Sequence, residues 1–382
     1  MTEKRRFDWD YLRDPEFRRD PHAALERLRG RGTFWTDQNR GHWVVTDPDL
    51  TLEVLRDSES FSSRDVNIPQ SPRRRKMVPV EVDPPDHGQY RTLLAPLFSP
   101  LAAAAMEPQL REYSTSLIER IATRCSCEFV ADYASQLPAI LFLGLFDLPI
   151  SDAPVLDTKI KAMGLRIPGE DPRAAAAWVF DYAGSVVDAR IRAPGTDLIS
   201  QLIASDVGDR KATREEVVDI LYLLLVAGLD TTTAVLAFGW RHLAAHPDDR
   251  ARVVADPAVA PIIVEEILRH YSVANIIRVA ARDHRLGDAE IAEGESVLTL
   301  PTLLHRLGDE TDGVRVDLGP RRHYAFGAGL HRCLGSHLAR QELAVAMATW
   351  HDQIPEYHLV DPGAETGGGG SILGLERLEL AW

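Results

Sequence analysis

The chain has 382 residues and a formal net charge of −14, from 43 Lys and Arg against 57 Asp and Glu. That balance gives no overall attraction for nucleic acid or an anionic membrane, although a local basic face remains open. Apolar side chains make up 45% of the chain and charged ones 26%, which excludes a disordered polymer and is enough for one large core.

The cysteines, Cys125, Cys127 and Cys333, are too few for a disulfide framework and odd in number, which fits a reducing cytoplasm. Cys125 and Cys127 are one residue apart, not the two-residue gap of redox or zinc pairs, and read as ordinary small residues. The opening MTEKRRFDWDYLRDP lacks the apolar core of a signal peptide, so neither export nor a membrane anchor is expected there.

In chain order, DPHAALERLRG (20–30) has helical spacing with Asp-Pro at its start and Gly at its end. A strand is predicted over 42–46, then a helix over 50–57. Residues 62–86 lack periodicity and carry several prolines and the basic run Arg73–Lys76, so they read as a long, functional loop. From Pro85 to about Ile203 the pattern is mainly helical, punctuated by Pro100, Pro138, Pro149, Pro168 and Pro194. Helices are predicted over 213–245 and 257–271, and strands over 276–280, 290–292 and 296–300. A Gly-rich turn at 327–329 leads into a helix to about Trp350. Short strands at 358–360 and 378–381 flank a flexible Gly367–Gly370. There is no repeat and no linker. The expected fold is mainly α with a small β-rich region, as one domain over 1–382.

Residues 220–240 are apolar and long enough to be mistaken for a spanning helix. Asp230 and three consecutive threonines interrupt them, and a charge at mid-membrane is costly. A buried central helix with a functional polar middle is the better reading.

Residues 323–340 read HYAFGAGLHRCLGSHLAR. Gly327, Gly329 and Gly335 surround Cys333 and let the backbone approach something bulky and flat. A helix is predicted directly after the cysteine, and its N-terminal partial charge stabilises a thiolate, the form that ligates iron. A lone cysteine is usually an inert buried one. Against that, F-G-x-G-x-H-x-C-x-G fixes six residue types in ten positions. Phe326 to Gly335 resembles the haem-binding signature of the cytochrome P-450 family, and Leu338-Ala339-Arg340 matches its common bacterial form. The resemblance implies haem b held by the Cys333 thiolate, between the cysteine loop and a central oxygen-binding helix. It also implies O2 as co-substrate, with sulfur donation favouring O–O cleavage.

AGLDTT (227–232) resembles the oxygen-binding helix of the same family. Ala227 and Gly228 are small enough to leave room for a diatomic ligand. Thr231 can bond back to a carbonyl and bend the helix. Asp230 is an acid in an apolar stretch and should be functional or paired. The family's acid and alcohol deliver protons during oxygen activation; a bent core helix is the bland alternative. Glu266 and Arg269 lie at i and i+3 on one helix face and match the family's E-x-x-R ion pair. Its third member, from a downstream loop, is best matched by Arg315. The family's Asn-Arg-Asp-Pro stretch is replaced here by His305-Arg306-Leu307-Gly308-Asp309. His87, Arg91, Arg278 and His323 match positions that hold the haem carboxylates, where cationic donors are needed to avoid buried unpaired charge.

The resemblance extends over almost the whole chain, including Gly41-His42-Trp43 and Phe61-Ser62-Ser63-Arg64. Its texture (VEVDPPDH, LLLVAGLDTTTA) is similar to the camphor- and terpene-hydroxylating branch. It implies a monooxygenase of secondary metabolism that inserts one oxygen atom into a small lipophilic substrate. Desaturation, oxidative coupling and peroxide-driven oxidation share these motifs. A non-catalytic haem sensor would tolerate loss of the Asp230–Thr231 pair, which is present. Electrons are expected from a ferredoxin and its NAD(P)H-dependent reductase, docking near Arg332 and Arg111, with the protein a cytoplasmic monomer. The expected substrate pocket takes in Ile68, Arg74, Arg75, Val78, Leu223, Ala274, Ile276 and Leu373. Arg73 to Lys76 are most simply a solvated run. The sharper expectation turns Arg74 or Arg75 inward onto the carboxylate of a small terpenoid or aromatic acid.

Overall fold

The computed structural model describes residues 4–71, 75–164, 167, 169–305, 313–315, 319, 321–363 and 366–382. Several helices start where a short polar side chain takes up free backbone N–H groups. Asp20 caps α1 (Pro21–Glu26) by accepting from the His22 and Ala23 amides. Strands β1 (Thr33–Thr36) and β2 (His42–Val45) follow. Asp47 then caps α2 (Pro48–Arg56), and a proline occupies its first turn, where an N–H would have no partner. After β3 (Phe61–Ser62), the described part of the long loop contains no helix or strand before α3 (Asp86–Leu94).

The helical half continues with α4 (Pro100–Ala105), α5 (Glu107–Ala122), the short β4 (Ser126–Glu128), α6 (Gln136–Leu145), α7 (Ala153–Met163), α8 (Pro172–Arg192) and α9 (Leu198–Ala204). A hairpin of β5 (Asp206–Val207) and β6 (Arg210–Lys211) precedes α10 (Arg214–Ala245). Thr213 and Glu216 form a capping box at its start, each side chain accepting from the other's backbone N–H. By length and composition α10 could cross a membrane. Here it is the central core helix, packed on α6, α7, α8, α9, α11 (Pro247–Ala255) and α12 (Ala260–His270). Phe129, Tyr133, Trp240 and Trp350 close the core beside it, with Phe129 stacked on Trp240 at 5.1 Å and edge-on to Trp350 at 5.1 Å.

The β-rich part begins with β7 (Ile276–Ala280), β8 (His284–Leu286), β9 (Ala289–Ile291) and β10 (Ser296–Thr299). The main sheet has the order β1-β2-β10-β7-β3, with β2 and β10 parallel and the other pairs antiparallel. Val297 stands between Trp43 and Arg278 in register, so Arg278 rides an interior strand. The last helix, α13 (Ser336–Gln353), packs on α5 and α12. The chain ends in β11 (His358–Leu359), β12 (Thr366–Gly368), β13 (Gly374–Arg377) and β14 (Glu379–Ala381), with β14 between β11 and β4.

The architecture is the expected one, mainly α with small sheets. One local expectation fails. Gly367–Gly370 is not a flexible spacer, because β12 pairs with β13. A Cβ at Gly367 would lie 2.4 Å from the Phe17 carbonyl oxygen, and one at Gly369 would lie 2.4 Å from the Phe17 ring. These glycines permit close packing on the N-terminal segment.

Candidate active site

The cysteine loop is held by its own backbone. The Gly327 amide donates to the Tyr324 carbonyl at 2.8 Å, and the Cys333 amide to the Phe326 carbonyl at 2.8 Å. Gly327 and Gly329 have φ of +72° and +71°, a region costly for residues with a Cβ. A Cβ at Gly329 would also lie 2.3 Å from the Leu55 carbonyl oxygen, so this glycine lets the loop seat against the end of α2. Gly335 differs: a Cβ there meets nothing within 4 Å and points into open space. The following helix starts at Ser336, so Leu334 and Gly335 separate it from the cysteine.

Cys333 is exposed, yet burial among protein atoms is the main influence on its thiol and pushes it up. The residue thus keeps accessible surface while protein atoms crowd its thiol. The Gly335 amide and the charges of Arg91, Arg332 and Arg340 act the other way and favour the thiolate.

Beside the loop lies a cluster of nitrogen donors, two arginines and two histidines, with Asp83 as the carboxylate among them. Arg278 is buried, donates to its neighbour's carbonyl (Ile277, 2.8 Å), and is depressed to about 10 by burial. His87 is buried and its ring lies 4.2 Å from that of His331. Burial, then the charges of Arg278 and His87, push His331 down to about 3, and its Nε2 is buried with no hydrogen-bond partner. Arg91 is lowered by burial, and Arg332 adds to that. Asp83 is the carboxylate that acts on Arg278, His87 and His331, and it also accepts from Ser62 and Ser63. The two arginines stay charged and the buried His331 Nε2 has no partner, so the cluster can take further acceptors. A haem fits on three counts: the accessible cysteine, the open space at Gly335, and cations that could bind two carboxylates. His331 was not singled out from the sequence, although it stands inside the quoted motif; its contact with His87 is what reveals it.

His323 departs from expectation. Its Nε2–H donates to Glu265 at 2.9 Å and its Nδ1 accepts from the Ala325 amide at 3.2 Å. Burial would raise Glu265, but His323 and Arg340 hold it down at about 2. The ring is thus used by Glu265 rather than by the Arg278 cluster.

Glu266 is fully buried, with Arg269 Nε at 3.1 Å. Arg269 also donates to the carbonyls of His305 (2.7 Å) and Gly313 (2.6 Å). The second guanidinium on Glu266, the third member of the network, belongs to Arg321, whose Nε lies 3.0 Å away, and not to Arg315. Arg315 donates its backbone N–H at 3.0 Å instead. Burial would raise Glu266, and Arg321 and Arg269 outweigh it, so the carboxylate stays charged. The signal for Arg321 was weak, because it lies in a run of arginines close to the cysteine motif. Residues 306–312, where the sequence departs from the family stretch, lie outside the described residues.

Along α10 the accessible positions between Val217 and Trp240 are Leu223, Val226, Ala227, Gly228, Asp230 and Thr231. Ala227 is exposed at the centre of a core helix, so a hollow borders it. Thr231 Oγ1 donates to the Ala227 carbonyl at 2.9 Å. Gly228 makes room on the other side: a Cβ there would lie 2.2 Å from the Phe142 ring. Its small size serves packing on α6, not a diatomic ligand.

The expected pocket residues divide. Leu223, Ala274 and Ile276 keep accessible surface, and Ile276 Cδ1 lies 3.3 Å from where a Gly327 Cβ would be. Ile68, Val78 and Leu373 are 3%, 5% and 0% exposed and belong to the core. Arg73 and Arg74 lie outside the described residues. Arg75 has no free guanidinium for a substrate acid. Its Nε is 2.9 Å from Asp219, it donates to the Glu215 carbonyl, and it stacks 4.5 Å over Phe180.

No protein-family model matches the chain. Individual relatives do. The chain is 33% identical over 374 residues to a probable cytochrome P-450 127A1 of Sinorhizobium fredii, covering 95% of this chain and 90% of that one. It is 30% identical over 383 residues to pentalenic acid synthase of Streptomyces avermitilis, covering 95% and 94%. Its structure is similar to that of CYP101J2 with a TM-score of 0.90 at 30% identity, covering 100% of this chain and 98% of that one. The chain belongs to the cytochrome P-450 family. It is a haem-thiolate monooxygenase that works with haem b and takes O2 as co-substrate.

Proposed function

We propose that the protein is a single-domain, cytoplasmic, ferredoxin-fed monooxygenase that hydroxylates a small lipophilic molecule. The observation that carries this is Cys333, an accessible residue beside Arg91, Arg278 and a buried His331 Nε2 that has no hydrogen-bond partner. In this reading Cys333 ligates the iron, and Arg278, Arg91, His87 and His331 hold the haem carboxylates. The bound haem supplies the redox chemistry that reduces O2 and passes one oxygen atom to the substrate. The chain supplies the rest. Leu223, Val226 and Ala227 present an apolar wall to the substrate. Thr231 spends its O–H on the Ala227 carbonyl, so its oxygen is held at a fixed place to accept from a proton-carrying group, and Asp230 one residue earlier can supply protons. Among the relatives, one named Vitamin D3 dihydroxylase is 28% identical over 381 residues, which supports hydroxylation over the other haem-thiolate reactions.

The electron donor is read from charge. Arg332 is exposed beside the ligand. Arg56 and Arg322, also exposed, lie 5.9 and 5.3 Å over the Tyr324 ring, and neither is in an ion pair among the described residues. Arg111, expected on the same face, is paired with Glu107 at 3.0 Å. An acidic ferredoxin fits such a face. The test is to reconstitute the haem protein with a ferredoxin, its reductase and NAD(P)H, and to follow a panel of lipophilic compounds by Soret shift and product. The expected result is an oxygenated product whose rate falls as salt rises. Salt-independent reduction would contradict the docking face, and Soret shifts without any oxygenated product would contradict the enzyme.

A further inference from the structure

The accessible face of α10 does not end at Leu223. Relative to Asp219, at 100° per residue, Val226 lies at about −20°, Asp230 at about +20° and Leu223 at about +40°. Asp219 thus heads the same stripe, about 16 Å along the axis from Asp230. It is an acid in an apolar stretch and is 8% exposed, and burial is the leading influence on its carboxyl. One residue reaches across from the 62–86 loop to meet it. Arg75 lies 2.9 Å from its carboxylate, with Phe180 of α8 under the guanidinium at 4.5 Å and Phe180 in turn 5.4 Å from Tyr222. An ion pair backed by aromatic rings therefore closes the stripe at the end remote from Thr231.

We propose that the Arg75–Asp219 pair is the charge-selecting end of the substrate pocket. This rests on the reading that the accessible face of α10 borders the substrate. While paired, the two side chains cancel, and the pocket end accepts a neutral group. A substrate carboxylate would have to displace Asp219 from Arg75, and a substrate cation would have to displace Arg75 from Asp219. The first exchange strands the buried Asp219 carboxylate and the second strands the partly exposed Arg75 guanidinium, and both are unfavourable. The substrate class that follows is a neutral, elongated lipophile, such as an alcohol, ester or lactone, rather than the acid expected from the basic run. Removing one partner should not abolish binding; it should change the sign of the preferred charge.

The experiment uses the ferric haem-loaded protein and three probes of one chain length: decanoic acid, its methyl ester and decyltrimethylammonium, whose quaternary nitrogen cannot ligate iron. Kd values come from Soret titrations, so turnover is not needed. In wild type the ester binds at least about tenfold more tightly than either ion, where tenfold is about 1.4 kcal/mol. Asp219→Asn shifts the acid-to-ester ratio about tenfold toward the acid, and Arg75→Gln shifts the cation-to-ester ratio about tenfold toward the cation. The double variant returns to the neutral preference, which a merely structural role for the pair would not produce. Ratios within twofold of wild type in both single variants overturn the proposal. The reduced-carbonyl spectrum is recorded for every sample. A normal thiolate band with unchanged ratios refutes only the charge-selecting pair, whereas absence of that band in wild type refutes the haem-thiolate reading itself.

Discussion

The two walls of the hollow are built in different ways. The cysteine wall is local: ten consecutive residues, two glycines at positive φ and two backbone hydrogen bonds place Cys333. The α10 wall is closed by partners from far along the chain: Phe142 of α6 against Gly228, and Arg75 against Asp219. Chemistry common to a family can be fixed by a short segment. Selectivity set by packing between distant segments can change while that segment stays as it is.

Two buried carboxylates sharpen the contrast on the cysteine side. Glu266 has two guanidiniums and a backbone amide, whereas Glu342 on α13 has an Oε1 with no hydrogen-bond partner. The largest effect is expected at Glu266. Glu266→Ala strands two arginines and should cost about 3–5 kcal/mol, read as a fall in the denaturation midpoint. Arg321→Ala should cost clearly more than Arg315→Ala, because Arg321 brings its guanidinium to the carboxylate. The reverse order would restore Arg315 as the third member.

Glu342 should behave in the opposite sense. Burial raises its carboxyl to about 8, so the folded state keeps it neutral while the unfolded chain releases the proton near the ordinary glutamate range. Its contribution to stability is then full below about pH 4.5 and is lost as pH rises through about 8. Glu342→Gln cannot ionise, so its stability relative to wild type should improve by up to about 4 kcal/mol from pH 5 to 8. A pH-independent difference in melting midpoint would mean that Glu342 has a partner in solution.

Smaller effects separate the glycines. Gly329→Ala should cost about 1–3 kcal/mol, from positive φ and the Leu55 carbonyl. Gly335→Ala should change the stability of the haem-free protein by less than about 0.5 kcal/mol and weaken haem retention instead. Equal losses of apoprotein stability would remove the argument that Gly335 borders the cofactor.

The mildest effect on structure is on the α10 wall. Thr231→Ala should keep consuming reductant but give severalfold less product and more peroxide, measured as product formed per NAD(P)H oxidised. Unchanged coupling would take Thr231 out of proton delivery.

What the sequence made legible follows the same division. The α10 and α12 helices, the strands β7 and β10, and the cysteine loop were readable because period, capping residues and motif all sit within a few residues of one another. Arg321 is not legible because its target, Glu266, lies 55 residues away, and the family's downstream loop is best matched in sequence by Arg315. His331 was quoted but given no role, because only the fold brings His87 against it. Gly367–Gly370 looked like a spacer because glycine runs in loops often are. The Phe17 segment that needs their small size is remote in sequence. Arg75 looked available to a substrate because nothing near it in sequence announces Asp219.

The central claim is that Cys333 holds the iron through sulfur. The direct measurement is the reduced-carbonyl Soret spectrum of the haem-loaded protein and of Cys333→Ser at equal haem content. The account predicts the red-shifted thiolate band in wild type and its loss in the serine variant. A variant that keeps the band, or a wild type that lacks it in freshly prepared protein, would contradict the account.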